Sequence, residues 1–292
     1  MSRRAALVLG GSGFVGSAAC AELSARGWRV VSARRDDADL EDPAAVVRLI
    51  ARVRPDAVLQ AAGSDKTAAP RRLWDALVGG TINVLDAAAA LPRPPRVVVV
   101  GSAAEYGDAP GSRPAREDGP ARPVNAYGSV KLAQTLAALS YRHQGVDVAV
   151  ARVFNICGPD CPERLIPGAF VTRLVAAERG GRPVVEAGDL SGSRDFVDAR
   201  DVAAALAGLC EPRVPSGVYN VCTGRATTIR YVLRALRALS STRIKVVSRG
   251  RGAGIKVSVG DNGKLRRTTG WKPSFGLEQS LRDALSAARL RQ

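Results

Sequence analysis

A tyrosine and a lysine four residues apart are the side chains in this sequence best suited to chemistry. Tyr127 and Lys131 lie in a stretch that runs on into Leu132-Ala133-Gln134-Thr135-Leu136 and is predicted to be helical. On a helix, residues four apart share one face. A phenol has an ordinary pKa of about 10, and a nearby cation favours the phenolate, so Lys131 is expected to lower the pKa of Tyr127. The pair could then exchange a proton with a substrate oxygen, although the same spacing also occurs on ordinary helix surfaces.

A glycine-rich turn near the N-terminus gives this pair a context. The apolar run Ala5–Leu9 is followed by Gly10-Gly11-Ser12-Gly13-Phe14-Val15-Gly16, a predicted helix and a second strand at Arg29–Ala33. Gly10 permits the tight turn, Gly13 lets backbone N–H groups approach a pyrophosphate, and Gly16 lets helix and strand pack closely. Strand, glycine turn, helix and strand together predict a dinucleotide site. Its first residues are Gly10, Ser12, Gly13, Phe14, Val15 and Gly16.

The end of the second strand favours NADP(H) as the dinucleotide. Arginines there accommodate a 2′-phosphate, whereas a carboxylate would bind the ribose hydroxyls of NAD. The sequence has Arg34-Arg35, with Asp36-Asp37 only afterwards. NAD(H) stays possible, and so does a solvated charge cluster in a turn. We expect Arg34, Arg35, Asp39 and Leu40 to line this end of the site.

Strands and helices then alternate, as expected for a parallel sheet with right-handed crossovers. Helices are predicted at Pro43–Val53 and Leu73–Ala90, and strands at Ala57–Gln60, Arg96–Val100 and Val146–Val150. Ligands collect at the carboxyl ends of such strands. The predicted cofactor site therefore extends to Ala61, Ala62 and Gly63.

The fold class predicted from this pattern is α/β, a Rossmann-type doubly wound parallel sheet with a smaller C-terminal α/β lobe. The dinucleotide-binding domain is placed at residues 1–155, with 195–222 returning to it. The substrate-binding lobe is placed at 156–194 and 223–292. In the lobe, the sequence predicts helices at Leu165–Glu178, Ile229–Leu239 and from Leu277 onward, strands near 182–186 and 244–247, and a glycine-rich loop at 249–254.

Composition argues against several other classes of protein. The net charge of +16 comes mainly from arginines that are dispersed through alanine-rich helices, and aromatic residues are few. We therefore expect no nucleic-acid partner. No apolar run approaches the about 18 residues that cross a membrane, so no membrane association is expected. Five scattered cysteines and one histidine predict no metal site and no disulfide, which favours a reducing, cytoplasmic compartment.

Six motifs in order make the sequence similar to one family. They are the glycine turn, Gly101–Gly107, Tyr127–Lys131, Arg152–Pro159, Arg194–Val202 and Gly270-Trp271-Lys272-Pro273. Together they resemble the extended short-chain dehydrogenase/reductases, the NAD-dependent epimerase/dehydratase group that acts on nucleotide sugars. The resemblance implies a catalytic set of Ser102, Tyr127 and Lys131, a nucleotide-sugar substrate and a homodimer formed through helices. It also implies cofactor contacts from Tyr127, Lys131 and Val153. The substrate contacts that it implies come from Ser102, Ala103, Glu105, Tyr127, Asn155, Arg194 and Arg251.

The residues within the motifs favour a reductase. Nucleotide-sugar dehydratases carry Asp-Glu after the catalytic serine or threonine, where this chain has Ala103 and Ala104. Epimerases retain NAD, which Arg34-Arg35 does not favour. The Gly-Ser-x-x-Glu-Tyr-Gly turn resembles that of GDP-4-dehydro-6-deoxy-D-mannose reductases, so we expect NADPH-dependent reduction of a 4-keto-6-deoxy nucleotide sugar. An NAD-retaining epimerase and a non-catalytic dinucleotide sensor are the alternatives.

Two departures from the family pattern bear on this prediction. Leu77 stands where the family usually has an asparagine, so one polar residue near the cofactor is lost. Gly254 stands where a carboxylate usually grips the nucleotide ribose, although Arg251 of the same segment is kept. GDP, dTDP and UDP therefore all remain possible as the nucleotide.

Overall fold

The computed structural model of the protein describes residues 3–63, 67–108, 113–180, 184–240, 242, 245–248 and 255–291. Its strands are β1 Ala5–Leu9, β2 Arg29–Ala33, β3 Ala57–Gln60, β4 Arg96–Ser102, β5 Val148–Val153, β6 Asn155–Cys157, β7 Val184–Ala187, β8 Ser193–Arg194, β9 Phe196–Asp198, β10 Gly217–Val221, β11 Thr227–Thr228, β12 Lys245–Ser248 and β13 Val257–Ser258. Its α-helices are α1 Phe14–Ala25, α2 Pro43–Val53, α3 Pro70–Trp74, α4 Gly80–Ala89, α5 Ala126–Ser140, α6 Ile166–Glu178, α7 Ala199–Leu209, α8 Ile229–Ala238, α9 Gly263–Thr269 and α10 Leu277–Arg291.

Six of these strands form one parallel sheet in the order β10-β5-β4-β3-β1-β2. The chain leaves β1 toward β2 and then returns to the other side of β1 with β3. The strand order therefore reverses at β1, and a ligand crevice is expected there, outside the carboxyl ends of the strands. The predicted Rossmann-type parallel sheet is confirmed.

Helices cover both faces of the sheet, because its strands are apolar on both sides. Leu7 of β1 packs in the core on the side of α2 and α4, whereas Val8 packs in the core on the side of α1 and α7. Helix α2 has the predicted bounds, and Asp42 begins it by accepting hydrogen bonds from the amides of Ala44 and Ala45. Such capping is a common helix start signal.

The predicted helix at Leu73–Ala90 has an interruption that its sequence pattern did not indicate. It consists of α3, a π-helical segment at Asp75–Gly79, and α4. One carbonyl of the π-helical segment, that of Leu77, accepts side-chain hydrogen bonds from Thr81 and Gln134. Single π turns of this kind occur frequently at functional sites.

The remaining elements build a smaller α/β layer with its own apolar cluster, formed by α6, α8 and α10 with β7 and β9. The two-stranded pair β7-β12 and the short sheet β11-β8-β13 belong to this part of the chain. Leu265 and Trp271 lie instead in the core of the large sheet, so α9 and the segment after it pack with the dinucleotide side. The division of the chain at residues 155, 195 and 223 stays a prediction. The predicted glycine-rich loop at 249–254 lies outside the described residues.

No helix in the described part of the chain is both long enough and apolar enough to span a membrane.

Candidate active site

A cleft of about 630 Å³ opens at the carboxyl ends of β1, β2 and β3, where the strand order reverses. Most of the predicted cofactor residues line it: Gly10, Ser12, Gly13, Phe14, Val15, Arg34, Arg35, Asp39, Leu40, Ala61, Ala62 and Gly63. The other four predicted residues lie outside the lining of the cleft. Tyr127 and Lys131 are grouped at the end of β4, Val153 is buried in the core, and Gly16 lies beneath the glycine turn.

The floor of this cleft is shaped for a phosphate group. Gly13 is the N-cap residue of helix α1, and no side chain caps the first N–H groups of the helix, so these donors are left for an anion. Gly10 has a φ of +78°, a left-handed conformation that glycine adopts without strain. At Gly16 a Cβ atom would meet the carbonyl oxygen of Gly10 at 2.1 Å, so the turn and helix could not approach as they do. The residues therefore fit the pyrophosphate of a dinucleotide.

The two arginines at the far end of the cleft have different surroundings. Arg35 donates to the Asp39 carboxylate at 2.7 and 3.1 Å and also lies near Glu41. These contacts lower the pKa of the Asp39 carboxyl and raise that of Arg35. Among the described residues, no carboxylate lies within ion-pair distance of the Arg34 guanidinium. Arg34 is therefore the arginine whose charge remains for an added phosphate.

Ser102 occupies the last position of β4, opposite Val153 of β5. Its hydroxyl accepts a hydrogen bond from the Ala104 amide at 3.2 Å, and its own amide donates to the Glu105 carboxylate at 2.9 Å. These reciprocal bonds form a capping box that begins a short 3₁₀ turn at Ala103–Glu105. The serine is therefore fixed at the carboxyl edge of the sheet.

Tyr127 lies in the first turn of α5 and is half-buried. Asn125 caps this helix, with its side-chain oxygen accepting from the Gly128 amide at 2.9 Å. Burial raises the pKa of Tyr127, while a hydrogen bond with the Ser102 side chain and the charge of Arg164 oppose the rise. The Ser102 and Tyr127 side chains therefore lie close together, while their catalytic roles stay a prediction.

The effect expected of Lys131 on Tyr127 was wrong. The Lys131 ammonium donates to the Val100 carbonyl and to the Gln134 side chain, both at 2.8 Å, and it is not among the groups that shift the pKa of Tyr127. Burial also lowers the pKa of Lys131 to about 8, against the charge of Glu105. The tyrosine consequently holds its proton at neutral pH, as suits a proton donor.

Glu105, predicted to touch substrate, lies beneath the site instead. Its side chain is fully buried and accepts hydrogen bonds from Arg152 at 2.6 Å and Thr135 at 2.8 Å, besides the Ser102 amide. No part of the carboxylate is exposed to a ligand. Its role is to hold the serine turn against β5 and α5, because a buried carboxylate needs such partners.

Asn155 on β6 lies beside the segment that follows Arg194 of β8. The Asn155 backbone and side-chain amides both donate to the carbonyl of Asp195, the residue next to Arg194. Arg194 is half-buried and donates to the Ser193 carbonyl at 2.8 Å, and burial lowers its pKa. Arg251, the third predicted residue of this set, lies outside the described residues.

Ala103 turns its side chain inward, where it packs with Tyr106 and Phe154. Only its backbone remains to meet a substrate.

Sequence reasoning also missed two residues. Arg164 lines the dinucleotide cleft, and its charge acts on Tyr127, which places the cleft and the tyrosine side by side. Gln134 supports Lys131 from the next turn of α5. Neither belongs to a recognisable motif, so only the fold could identify them.

No group of three histidine, cysteine, aspartate or glutamate side chains in the described ranges is placed to hold an ion. All five cysteines are free thiols. The site therefore offers a cleft for a dinucleotide beside a serine, a protonated tyrosine and a buried lysine, which defines a dinucleotide-dependent oxidoreductase of the Rossmann type.

Comparison with known proteins agrees with this class. The family model "NAD dependent epimerase/dehydratase family" matches residues 6–222. The chain belongs to this family and is an NAD(P)-dependent enzyme of the extended short-chain dehydrogenase/reductase type.

Two relatives match much of the chain. A dTDP-6-deoxy-L-talose 4-dehydrogenase (NAD(P)(+)) of Kitasatospora kifunensis is 32% identical over 96% of this chain and 94% of its own. A GDP-6-deoxy-D-mannose reductase of Pseudomonas aeruginosa is 31% identical over 80% of each chain.

Two solved structures share the fold over nearly their whole length. RMD from Pseudomonas aeruginosa complexed with NADPH is 30% identical, with a TM-score of 0.90 over 99% of this chain and 100% of its own. UDP-glucose 4-epimerase of Thermus thermophilus in complex with NAD is 26% identical, with a TM-score of 0.88 over 98% of this chain and 99% of its own. The family likeness therefore extends to reductases and epimerases alike.

Proposed function

We propose that this protein reduces the 4-keto group of a nucleoside-diphosphate 4-keto-6-deoxyhexose to an alcohol, with NADPH as the electron donor. The observation that carries the proposal is the combination of Arg34, unpaired among the described residues, with the protonated Tyr127 beside the same cleft. An NADP-type phosphate needs the first, and proton donation to a ketone needs the second.

The chain's residues divide the chemistry among them. When bound, the cofactor supplies a hydride to the keto carbon. Tyr127 gives its hydroxyl proton to the keto oxygen, and Ser102 orients that oxygen by a hydrogen bond. Lys131 would hold the cofactor ribose with the N–H donor that Val100 and Gln134 leave free. The absence of carboxylates at Ala103 and Ala104 is consistent with reduction without dehydration.

Substrate recognition is proposed to rest on Asn155 and Arg194. The Asn155 side chain donates to the carbonyl of Asp195, the residue after Arg194, and a guanidinium suits bidentate contact with a diphosphate. Two relatives support the substrate class, since one is named for a dTDP-6-deoxy sugar and the other for a GDP-6-deoxy sugar. The nucleotide base and the sugar stereochemistry stay open.

A second candidate is an epimerase that retains NAD and oxidises and re-reduces one carbon. The Asp39 carboxylate at the cleft wall favours it, because a carboxylate there can bind ribose hydroxyls once Arg35 moves aside. Release of NAD on denaturing freshly purified protein, together with conversion of a saturated nucleotide sugar without added cofactor, would establish this activity and overturn the reductase.

The test of the reductase is NADPH consumption with a panel of GDP-, dTDP- and UDP-linked 4-keto-6-deoxy sugars. We expect loss of absorbance at the reduced nicotinamide band with at least one of them, and a 4-hydroxy product of mass two units higher. Failure with every member of the panel would contradict the proposal. We further propose that the protein acts in the cytoplasm as a homodimer, with α5 at the interface between copies.

A further inference from the structure

A buried chain of hydrogen bonds lies behind Lys131. The lysine is 5% exposed and donates to the Gln134 side-chain oxygen at 2.8 Å. Gln134 is 1% exposed and donates in turn to the Thr81 hydroxyl at 2.8 Å. The Thr81 hydroxyl also lies 3.1 Å from the Gln60 side-chain oxygen, at the carboxyl end of β3. Gln134 therefore links Lys131 to Thr81 of α4 and, through Thr81, to Gln60 of β3.

The orientation of the Gln134 amide follows from its partners. Its NH₂ group has two N–H donors, and these go to the Thr81 hydroxyl and to the Leu77 carbonyl at 3.2 Å. Its oxygen is then the atom left to face Lys131. Rotating the amide by half a turn would set NH₂ against an ammonium and an oxygen against a carbonyl, so the observed orientation is the favourable one.

This arrangement also determines how many donors the lysine has left. An ammonium has three N–H groups, and two are taken by the Val100 carbonyl and the Gln134 oxygen. The third remains for a ligand. Because Leu77 is apolar and only its backbone takes part, the polar support that the lysine receives from this side comes through Gln134.

We propose that Gln134 is a positioning residue, which keeps Lys131 as an ammonium and directs its remaining donor to the ribose of the bound dinucleotide. The ribose contact rests on the proposed function, whereas the hydrogen bond to Gln134 does not.

The charges around Lys131 allow the effect to be measured. Of the described ionisable groups, the Glu105 carboxylate acts on the lysine and raises its pKa, while burial lowers it to about 8. The same carboxylate is shared with Arg152 of β5, and Tyr127 lies one turn away on α5. Removing the Gln134 oxygen should lower the pKa of Lys131 further, and a carboxylate in its place should raise it.

The test follows Lys131 directly, in protein labelled with ¹³Cε-lysine. The chain has six lysines, and the signal missing in Lys131→Arg identifies the one of interest. We expect the wild-type signal to titrate near pH 8 and the Gln134→Leu signal about one pH unit lower. Gln134→Glu, which keeps the size of the side chain, should titrate at a higher pH than wild type. Gln144→Leu, at an exposed glutamine in the 3₁₀ turn after α5, should change nothing.

Two readouts separate this inference from the proposed function. The titration needs neither substrate nor turnover, so it holds even if no keto sugar is reduced. If Lys131 titrates at the same pH in wild type, Gln134→Leu and Gln134→Glu, the positioning role is wrong. If the signals shift but NADPH binding at pH 7 is equally tight in all three, the ribose contact is wrong. We expect Gln134→Leu to bind NADPH about tenfold more weakly, with Gln134→Glu close to wild type.

Discussion

Burial, more than neighbouring charge, determines the protonation of Tyr127 and Lys131. It raises the pKa of Tyr127 and lowers that of Lys131 to about 8. Both shifts follow from the cost of an ionised group in an apolar surrounding. A neutral tyrosine carries the proton that it donates. A lysine with a lowered pKa loses its charge as the pH rises above about 8. The rate of ketone reduction should therefore decline as the pH rises above about 8.

Glu105 provides a stability test at the same scale. In Glu105→Gln the buried Arg152 would lose its counter-charge, so we expect the free energy of unfolding to fall by about 3–5 kcal/mol. The matched control is Glu22→Gln, which breaks an exposed pair with Arg26 and should cost at most about 0.5 kcal/mol. Urea unfolding followed by circular dichroism measures both. Equal losses in the two variants would show that the buried pair has no special role.

The two arginines of the cleft should differ in their effect on cofactor choice. Arg34→Ala removes the arginine without a described carboxylate partner, and we expect KM for NADPH to rise about 10–100-fold while KM for NADH changes little. Arg35→Ala should have the smaller effect, because Arg35 is already engaged by Asp39. Initial rates measured over a range of NADPH and NADH concentrations give these KM values for each variant. A larger rise in KM for NADPH in Arg35→Ala than in Arg34→Ala would contradict the assignment of Arg34 to the phosphate.

Whole elements were predictable wherever a local pattern determines them. Helix α2 has the predicted bounds because a proline and a capping aspartate fix its start, and β1 to β3 follow apolar runs. The π-helical segment was not predictable, since its carbonyl partners come from side chains on α4 and α5. The spacing of Tyr127 and Lys131 correctly placed both residues on one helix, α5, and their catalytic role stays a prediction. The inward direction of Glu105 depends on packing against Arg152, which no local pattern contains.

The packing of α5 against the serine turn can be tested with one methyl group. At Gly128 a Cβ atom would meet the Ala104 carbonyl at 2.4 Å, so Gly128→Ala must push the helix and the turn apart. We expect kcat to fall about 100-fold or more because Tyr127 would leave Ser102. Gly79→Ala is the control, since nothing lies within 4 Å of its Cβ position and its effect on activity should be slight. Crystal structures or kinetics of both variants would show whether the close approach matters, and unchanged turnover in Gly128→Ala would mean that it does not.

Across the whole molecule, the exposed apolar side chains bear on the proposed homodimer. Trp74 of α3 is 48% exposed and Leu136 of α5 is 62% exposed, and these two helices pack together. Leu136→Asp should reduce the mass measured by light scattering from twice the 30.5 kDa of the chain to a single copy. Leu290→Asp, at an 88% exposed leucine of α10, should leave the mass unchanged. A wild-type mass of 30.5 kDa would contradict the dimer.

The central claim is that Tyr127 donates a proton to a ketone that NADPH reduces. The most direct measurement compares wild type and Tyr127→Phe for NADPH oxidation with the 4-keto-6-deoxy nucleotide sugar that the panel identifies. The phenyl ring keeps the packing and removes only the hydroxyl. We predict that kcat falls about 10²- to 10⁴-fold while the dissociation constant for NADPH stays close to that of wild type. Undiminished turnover in Tyr127→Phe would contradict the account.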